Sequence, residues 1–171
     1  MIRLLGIETD GSNFFQLGGE MAKSREGDSK GLKDLVAGLN EDLRFEYAAV
    51  ITYRTYASAV RGPYRQELRQ FFEREIADEL VHAGLICDKI VALGGVPTTE
   101  SAPVKYTEVE HEMLENALQD ERDTIERYVK RRKQAEDLGE AGLAIDLDTL
   151  IADETKHRDE LRLMLARSSS S

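Results

Sequence analysis

The heptapeptides IADELVH (residues 76–82) and IADETKH (residues 151–157) open on the same four residues and close on the same histidine. Each lies in a stretch with helical periodicity, where Ile76 and Leu80 in the first copy read as core. Each nevertheless places a glutamate and a histidine three residues apart, on or beside the face to be buried. Residues i and i+3 project from one side of a helix, and an unpartnered charge there is expensive. The two copies keep one offset: Glu79 and Glu154 are 75 residues apart, as are His82 and His157, Ile76 and Ile151, and Asp78 and Asp153.

The same offset extends upstream. Glu46 and Glu121 are 75 apart, and so are Tyr53 and Tyr128, each seven residues after its glutamate. LRFEYAAVITY (43–53) and LQDERDTIERY (118–128) share the pattern L-x-x-E-x-x-x-x-x-x-Y. Each half is thus a helix bearing Glu and Tyr, then a helix bearing D-E-x-x-H, with 33 residues between the glutamates. Glu46 and Glu121 fall within the apolar series of their own helices, at matching heights. The pattern predicts four carboxylates and two imidazoles meeting near mid-bundle. Buried unpaired, they would cost several kcal/mol each (roughly, by charge desolvation). Two divalent cations would bring four positive charges to four carboxylates and remove that objection.

Outward from these motifs, apolar residues at helical spacing predict four helices, over about 32–60, 64–93, 107–138 and 143–166. Gly62-Pro63, Gly94-Gly95 and Gly139 interrupt them. Long helices with short breaks are the signature of a four-helix bundle. The segment 94–106, GGVPTTESAPVKY, is longer than a usual bundle connection. Fully extended it reaches roughly 43 Å, about the length of a 28-residue helix. It can climb the bundle, so the second and third helices should point the same way. Residues 1–30 alternate turn formers, charges and short apolar pieces such as Phe14-Phe15, and read as an N-terminal arm. Residues 31–166 form the bundle. The 167–171 tail reads as exposed low complexity or a remnant of cloning.

Composition narrows the function. With 171 residues, 41% hydrophobic and 33% charged, the chain suits one helical domain with a real core. A net charge of −10 argues against nucleic acid as a main ligand. Cys87 is the only cysteine, which excludes an intrachain disulfide and a four-cysteine metal site. No apolar run approaches a membrane span of about 18 residues, and MIRLLGIETD is too soon broken by charge for a secretory segment. The cytoplasm is the expected compartment.

Residues 39–165 resemble the ferritin-like superfamily, bacterioferritin and its relatives in particular. LNEDLRFEYAAVITY (39–53) resembles the first family helix and IADELVHAGLICDKIVALGGVP (76–97) the second. The resemblance implies an all-α, ferritin-like four-helix bundle with a long crossover between helices 2 and 3. It also implies a di-iron ferroxidase centre within one chain, and storage or detoxification of iron in an oligomeric shell. By motif, Glu46, Glu79, His82, Glu121, Glu154 and His157 would be the metal ligands and catalytic residues, with Glu79 and Glu154 bridging. Two iron ions are the expected cofactor, with manganese also compatible with these ligands. Fe2+ and dioxygen or hydrogen peroxide are the expected reactants. A homo-oligomer is expected, as a 12- or 24-subunit shell, as in bacterioferritin and Dps-like relatives, or a dimer. Bacterioferritin carries a haem-ligating methionine directly after the helix 2 glutamate. Leu80 stands there, so no haem is expected.

The same scaffold supports a rubrerythrin-like peroxide reductase or a dimanganese catalase-like enzyme as the alternative. The lone cysteine excludes a fused rubredoxin domain, and Leu118 stands where rubrerythrin-like sites often carry an extra glutamate. A structural bundle with incidental carboxylates would have to bury them unpaired. Around the ligands, Asp78 and Asp153 are expected to support the histidines across the bundle, Asp78 accepting from His157 and Asp153 from His82 at about 2.7–3.0 Å. Tyr53 and Tyr128 are expected either to support the site through their hydroxyls or to serve as core aromatics. His111 reads as a surface residue and Cys87 as a small core residue.

Overall fold

The computed structural model describes the backbone of residues 12–166 and the side chains of residues 29–166. Four helices follow one another: α1 (Ser12–Ala59), α2 (Arg65–Ala92), α3 (Glu110–Asp137) and α4 (Ala141–Leu165). Gly62, Gly94 and Gly139 have φ of 90°, 78° and 76°. They are the only positive-φ positions among the described residues, and each lies just beyond a helix end. Glycine enters that region without a Cβ penalty.

The second to fourth helices start and stop within three residues of the positions expected from periodicity. The first does not. It begins at Ser12 rather than near residue 32, and the turn-rich 12–30 segment continues it as helix. Its glycines and serines lower helix propensity, but no proline precedes Pro63, so nothing sterically ends the helix there. The expected arm over 1–30 therefore overlaps α1 from Ser12, and its residues 1–11 lie outside the described residues, as does the 167–171 tail.

The crossover runs alongside α1. Thr98 N donates to Asn40 Oδ1 at 2.6 Å, and Asn40 Nδ2 donates to Val96 O at 3.2 Å. Ala102 N donates to Arg44 O at 2.8 Å, and Tyr56 Oη to Lys105 O at 3.0 Å. The α1 partners rise in number with the crossover residues, so the segment climbs parallel to α1. It delivers α3 to the end where α2 began, so α2 and α3 run in the same direction. Each helix then packs against antiparallel neighbours: α1 on α2 and α3, α4 on α3 and α2.

Two apolar clusters fill the bundle. At one end Leu35, Leu39, Leu43, Ile86, Ile90, Leu143 and Leu147 pack together. At the other, Tyr53, Tyr56, Phe71, Phe72, Met113 and Leu161 do so. Between them lies a buried polar layer of Glu46, Glu79, His82, Glu121 and Glu154. Leu80, which periodicity assigns to the core, is instead 56% exposed. It follows Glu79 directly, about 100° further round the helix, and burying Glu79 turns Leu80 outward.

Candidate metal centre

All six motif residues converge on the layer that divides the core. Glu46 and Glu121 project from the antiparallel pair α1 and α3. Glu79 with His82, and Glu154 with His157, project from α2 and α4. Donor atoms of Glu46, Glu79, His82 and Glu154 all lie within 4.8 Å of one another, and so do those of Glu79, Glu121, Glu154 and His157. Glu79 and Glu154 belong to both groups. The two imidazole rings lie near parallel, with centroids 6.2 Å apart.

The contacts within the layer have the mark of donors aimed at common points. His82 Nδ1 lies 2.9 Å from Glu154 Oε1. Neither atom makes a well-formed hydrogen bond, and Glu46 Oε2 is likewise orphaned. Buried polar atoms are nearly always satisfied, so a cluster of orphaned anionic and imidazole donors fits a cation between them. Carboxylate oxygen with imidazole nitrogen suits iron or manganese, and two groups that share Glu79 and Glu154 suit a pair of ions.

Proton affinities follow from the crowding. Burial, with the Glu154 charge beside it, raises Glu46 to about 7. Burial and Glu154 likewise push Glu79 and Glu121 well above the carboxylate range. Burial acts upward on Glu154 too, but the approaches of His157 and His82 prevail and hold it at about 2. Burial acts downward on both imidazoles, and the contact with Glu154 overcomes it and raises them. The layer thus favours negative charge on Glu154, between the two imidazoles, and raises the proton affinity of the other carboxylates.

The tyrosines flank the layer on the α1–α3 side. Tyr128 Oη donates to Glu46 Oε1 at 2.6 Å, and Tyr53 Oη donates to Glu121 Oε1. Burial raises both phenols well above 10, so both remain donors. Asp78 faces His157 and Asp153 faces His82 across the bundle, the expected pairing. The approaches are 3.6 and 4.0 Å, though, longer than the hydrogen bonds anticipated. The aspartates sit at the rim, more exposed than the rings, and Asp153 is drawn aside by Lys156 Nζ at 2.7 Å.

Other residues fall outside the layer or were not foreseen. His111 is exposed and pairs with Glu115 at 3.3 Å. Cys87 is half-buried, with Sγ 3.5 Å from Tyr47 Oη. Glu75 is an unforeseen neighbour. It is buried, its Oε2 lies 3.3 Å from His157 Nδ1, and burial raises it to about 7. The repeat conceals it, since Leu150 stands at its offset position, but its place four residues before Glu79 on one helix face was a usable signal. Asp42 and Arg131 were also unforeseen. Arg131 Nε donates to Asp42 Oδ2 at 2.7 Å, with both side chains fully or almost fully buried.

A four-helix bundle with a full-length crossover and a carboxylate–histidine layer at its middle defines a ferritin-like protein. The chain belongs to the ferritin-like domain family, whose model matches residues 36–170. It is similar to a ferritin-like, diiron-carboxylate protein from Bacillus anthracis str. Ames, with 49% identity and a TM-score of 0.78, covering 80% of this chain and 98% of that one. It is 27% identical over 138 residues to a bacterioferritin of Mycobacterium leprae, covering 80% of this chain and 87% of the relative. The fold alone is shared with a Dps protein from Thermosynechococcus elongatus, at 18% identity and a TM-score of 0.79, covering 84% of this chain and 97% of that one. No helix among the described residues is long and apolar enough to cross a membrane.

Proposed function

We propose that this chain is a ferroxidase that oxidises Fe2+ at a dinuclear centre within one subunit and stores or detoxifies iron as a homo-oligomeric shell. One observation carries the reading: two tetradentate groups of buried donors that share Glu79 and Glu154. Glu46 and His82 would hold one ion, Glu121 and His157 the other, and Glu79 and Glu154 would bridge. Two Fe2+ ions held side by side would each give one electron to dioxygen or peroxide. The diiron-carboxylate description of the Bacillus anthracis relative supports the metal, and the bacterioferritin similarity supports the activity.

The chain's own groups have definable tasks. The Tyr128 and Tyr53 hydroxyls hold Glu46 and Glu121 in fixed rotamers, with their free oxygens turned inward. The two apolar clusters keep bulk water from the layer on both sides along the bundle axis, which strengthens every charge interaction inside it. Protons on Glu46, Glu79 and Glu121 leave as ions bind, so each uptake step releases acid.

Stopped-flow absorbance after mixing Fe2+ with aerobic protein tests the proposal, with Glu46→Ala, Glu121→Ala double variant as the comparison. The wild-type protein should form ferric product at least about 100-fold faster than the variant, because losing two ligands costs at least as much as the roughly 10- to 100-fold typical of losing a ligand's supporting partner. Equal rates would sink the reading. Rapid peroxide disproportionation by manganese-loaded protein, without iron uptake, would favour the catalase-like alternative. Light scattering on the purified protein reads the shell directly.

A further inference from the structure

We propose that Fe2+ reaches this centre from the α1–α3 face, through a gap with Asp120 at its mouth and Thr52 and Thr124 at its throat, and that Arg127 opposes the passage electrostatically. The inference rests on the ferroxidase reading above.

The gap follows from how α1 and α3 are tied together. Four polar rungs join these antiparallel helices: Asn116 Nδ2 to Tyr56 Oη at 3.3 Å, Tyr53 to Glu121, Tyr128 to Glu46 at 2.6 Å, and Arg131 to Asp42 at 2.7 Å. Between the Tyr53 and Tyr128 rungs lies one level with no bond across it. Ala48, Ala49 and Thr52 stand there on α1, facing Asp120 and Thr124 on α3. Small side chains leave space where large ones close every neighbouring level.

Two adjoining cavities occupy this space, one toward solvent and one toward the ligands. An outer cavity of about 60 Å³ is bounded by Phe45, Pro103, Asp123 and Arg127. An inner cavity of about 10 Å³ is bounded by Tyr53, Glu79 and Glu121. Ala49, Thr52, Asp120 and Thr124 wall both. Asp120 is exposed, whereas Thr52 and Thr124 are buried at 5% and 9%. A cation therefore meets a carboxylate at the surface, then hydroxyl oxygens, then the carboxylates of Glu79 and Glu121. Each is a hard oxygen donor able to replace water lost on entry. The inner cavity is about the size of one water-sized sphere, so it admits a stripped ion and excludes a hydrated one.

Arg127 is the opposing charge. Its guanidinium lies 3.7 Å over the Phe45 ring, and its Nη2 donates to Thr124 Oγ1 at 2.7 Å. This holds a fixed positive charge on the wall of the outer cavity, occupying one of the throat hydroxyls. Asp120 and Asp123 line the same mouth, with Lys105 acting on Asp120 as well, and the balance of these charges sets the entry rate for a dication.

The test follows Co2+ in place of Fe2+, because its visible absorption reports binding without oxidation. Stopped-flow association at low salt should be slowed about 5- to 10-fold by Asp120→Asn and at least that much by Thr52→Leu, while Arg127→Gln should speed it about 2- to 5-fold. Final stoichiometry should remain two Co2+ per chain in all three. Opposite signs for Asp120→Asn and Arg127→Gln separate steering from structural damage, which would slow both. Glu160→Gln, an exposed change on α2–α4 beside Arg74, should leave the rate unchanged. Wild-type rates in Asp120→Asn and Thr52→Leu, or slowing confined to Glu160→Gln, would overturn the proposal. If the wild-type protein itself bound no pair of Co2+ ions, the ferroxidase reading would fail instead.

Discussion

The Tyr128 hydroxyl on α3 lies 2.6 Å from Glu46 Oε1 on α1, joining residues 82 apart in sequence. The Tyr53–Glu121 contact repeats it on the other side of the layer. Both phenols are buried and both remain protonated, so each glutamate has one oxygen committed to a donor and one left for the interior. Tyr128→Phe removes the donor and keeps the ring. A hydrogen bond to a buried charged group contributes roughly 1.5–3 kcal/mol, and loss of a group that orients a ligand weakens metal binding about 10- to 100-fold. Tyr128→Phe should therefore fold, bind two Co2+ in a competitive chelator titration, and do so at least about 10-fold more weakly. Tyr53→Phe should match it within a few-fold. Wild-type affinity in both would reduce the tyrosines to core aromatics.

Metal-free protein should be less stable at pH 8 than at pH 5. Glu46 and Glu75 rise from 4.5 to about 7 on folding, so the folded state binds more protons than the unfolded chain between these values. Their contribution is favourable below pH 4.5 and is lost as pH rises toward 7. The two imidazoles act in the same direction, since their raised affinities favour folding at low pH and the benefit fades above the folded value. Glu154, held at about 2, acts oppositely, but only below pH 4.5. Each kcal/mol lost in this way lowers Tm by about 2–4 °C in a chain this size. Calorimetry with chelator present should show that fall. Saturating Co2+ should remove it, because the ions replace the protons. A flat profile in chelator would contradict the proton distribution described above.

Much of this arrangement was legible in the sequence, because it is written twice. The offset of 75 residues is a statement about three dimensions: two helix pairs related by a two-fold axis put equal positions at equal heights. Glu46, Glu79, His82, Glu121, Glu154 and His157 could thus be brought together without coordinates. What breaks the symmetry was not legible. Glu75 has Leu150 at its repeat position, and Asp42 has Ala117, so neither carries the repeat signal. The start of α1 was misread because glycine and serine lower helix propensity without forbidding a helix. Leu80 was misread because helix periodicity cannot tell which of two adjacent stripes is buried when the correct one carries the charges.

The buried Asp42–Arg131 pair fixes α1 against α3 one turn beyond the Glu46–Tyr128 contact. Removing one partner strands a charge in the core and should cost about 3–5 kcal/mol. Urea unfolding of Asp42→Ala should show that loss. Asp42→Leu combined with Arg131→Met should recover most of it, since an apolar pair has no charge to desolvate. Gly38 is part of the same contact. A Cβ there would collide with the Arg131 guanidinium, which cannot retreat while it is held by Asp42 and Gln134. Gly38→Ala should be destabilising in the wild-type background and nearly neutral beside Arg131→Met. Additive effects of Gly38→Ala and Arg131→Met would show that the glycine serves some other end.

Asp153 is shared between two partners, and that sharing makes its role testable. It faces His82 Nε2 at 4.0 Å while Lys156 Nζ holds its other oxygen at 2.7 Å. A ligating histidine is a better donor when its second nitrogen gives a proton to a carboxylate, which fixes the tautomer and raises basicity. Under the proposed reading, a metal on His82 Nδ1 leaves Nε2 as that donor, and Asp153 is the carboxylate within reach. Asp153→Ala should weaken the tighter of two Co2+ affinities, or the Fe2+ oxidation rate, about 10-fold or more. Lys156→Ala should do the reverse. With its competitor gone, the Asp153 carboxylate can close the 4.0 Å approach to a hydrogen bond, and affinity should rise a few-fold. The histidine Nε2–H resonance reports the same event: in Zn2+-loaded Lys156→Ala it should move downfield and exchange more slowly than in wild-type protein. Unchanged affinity in Asp153→Ala together with an unchanged resonance in Lys156→Ala would place Asp153 in the solvated rim, with Lys156 as its only partner.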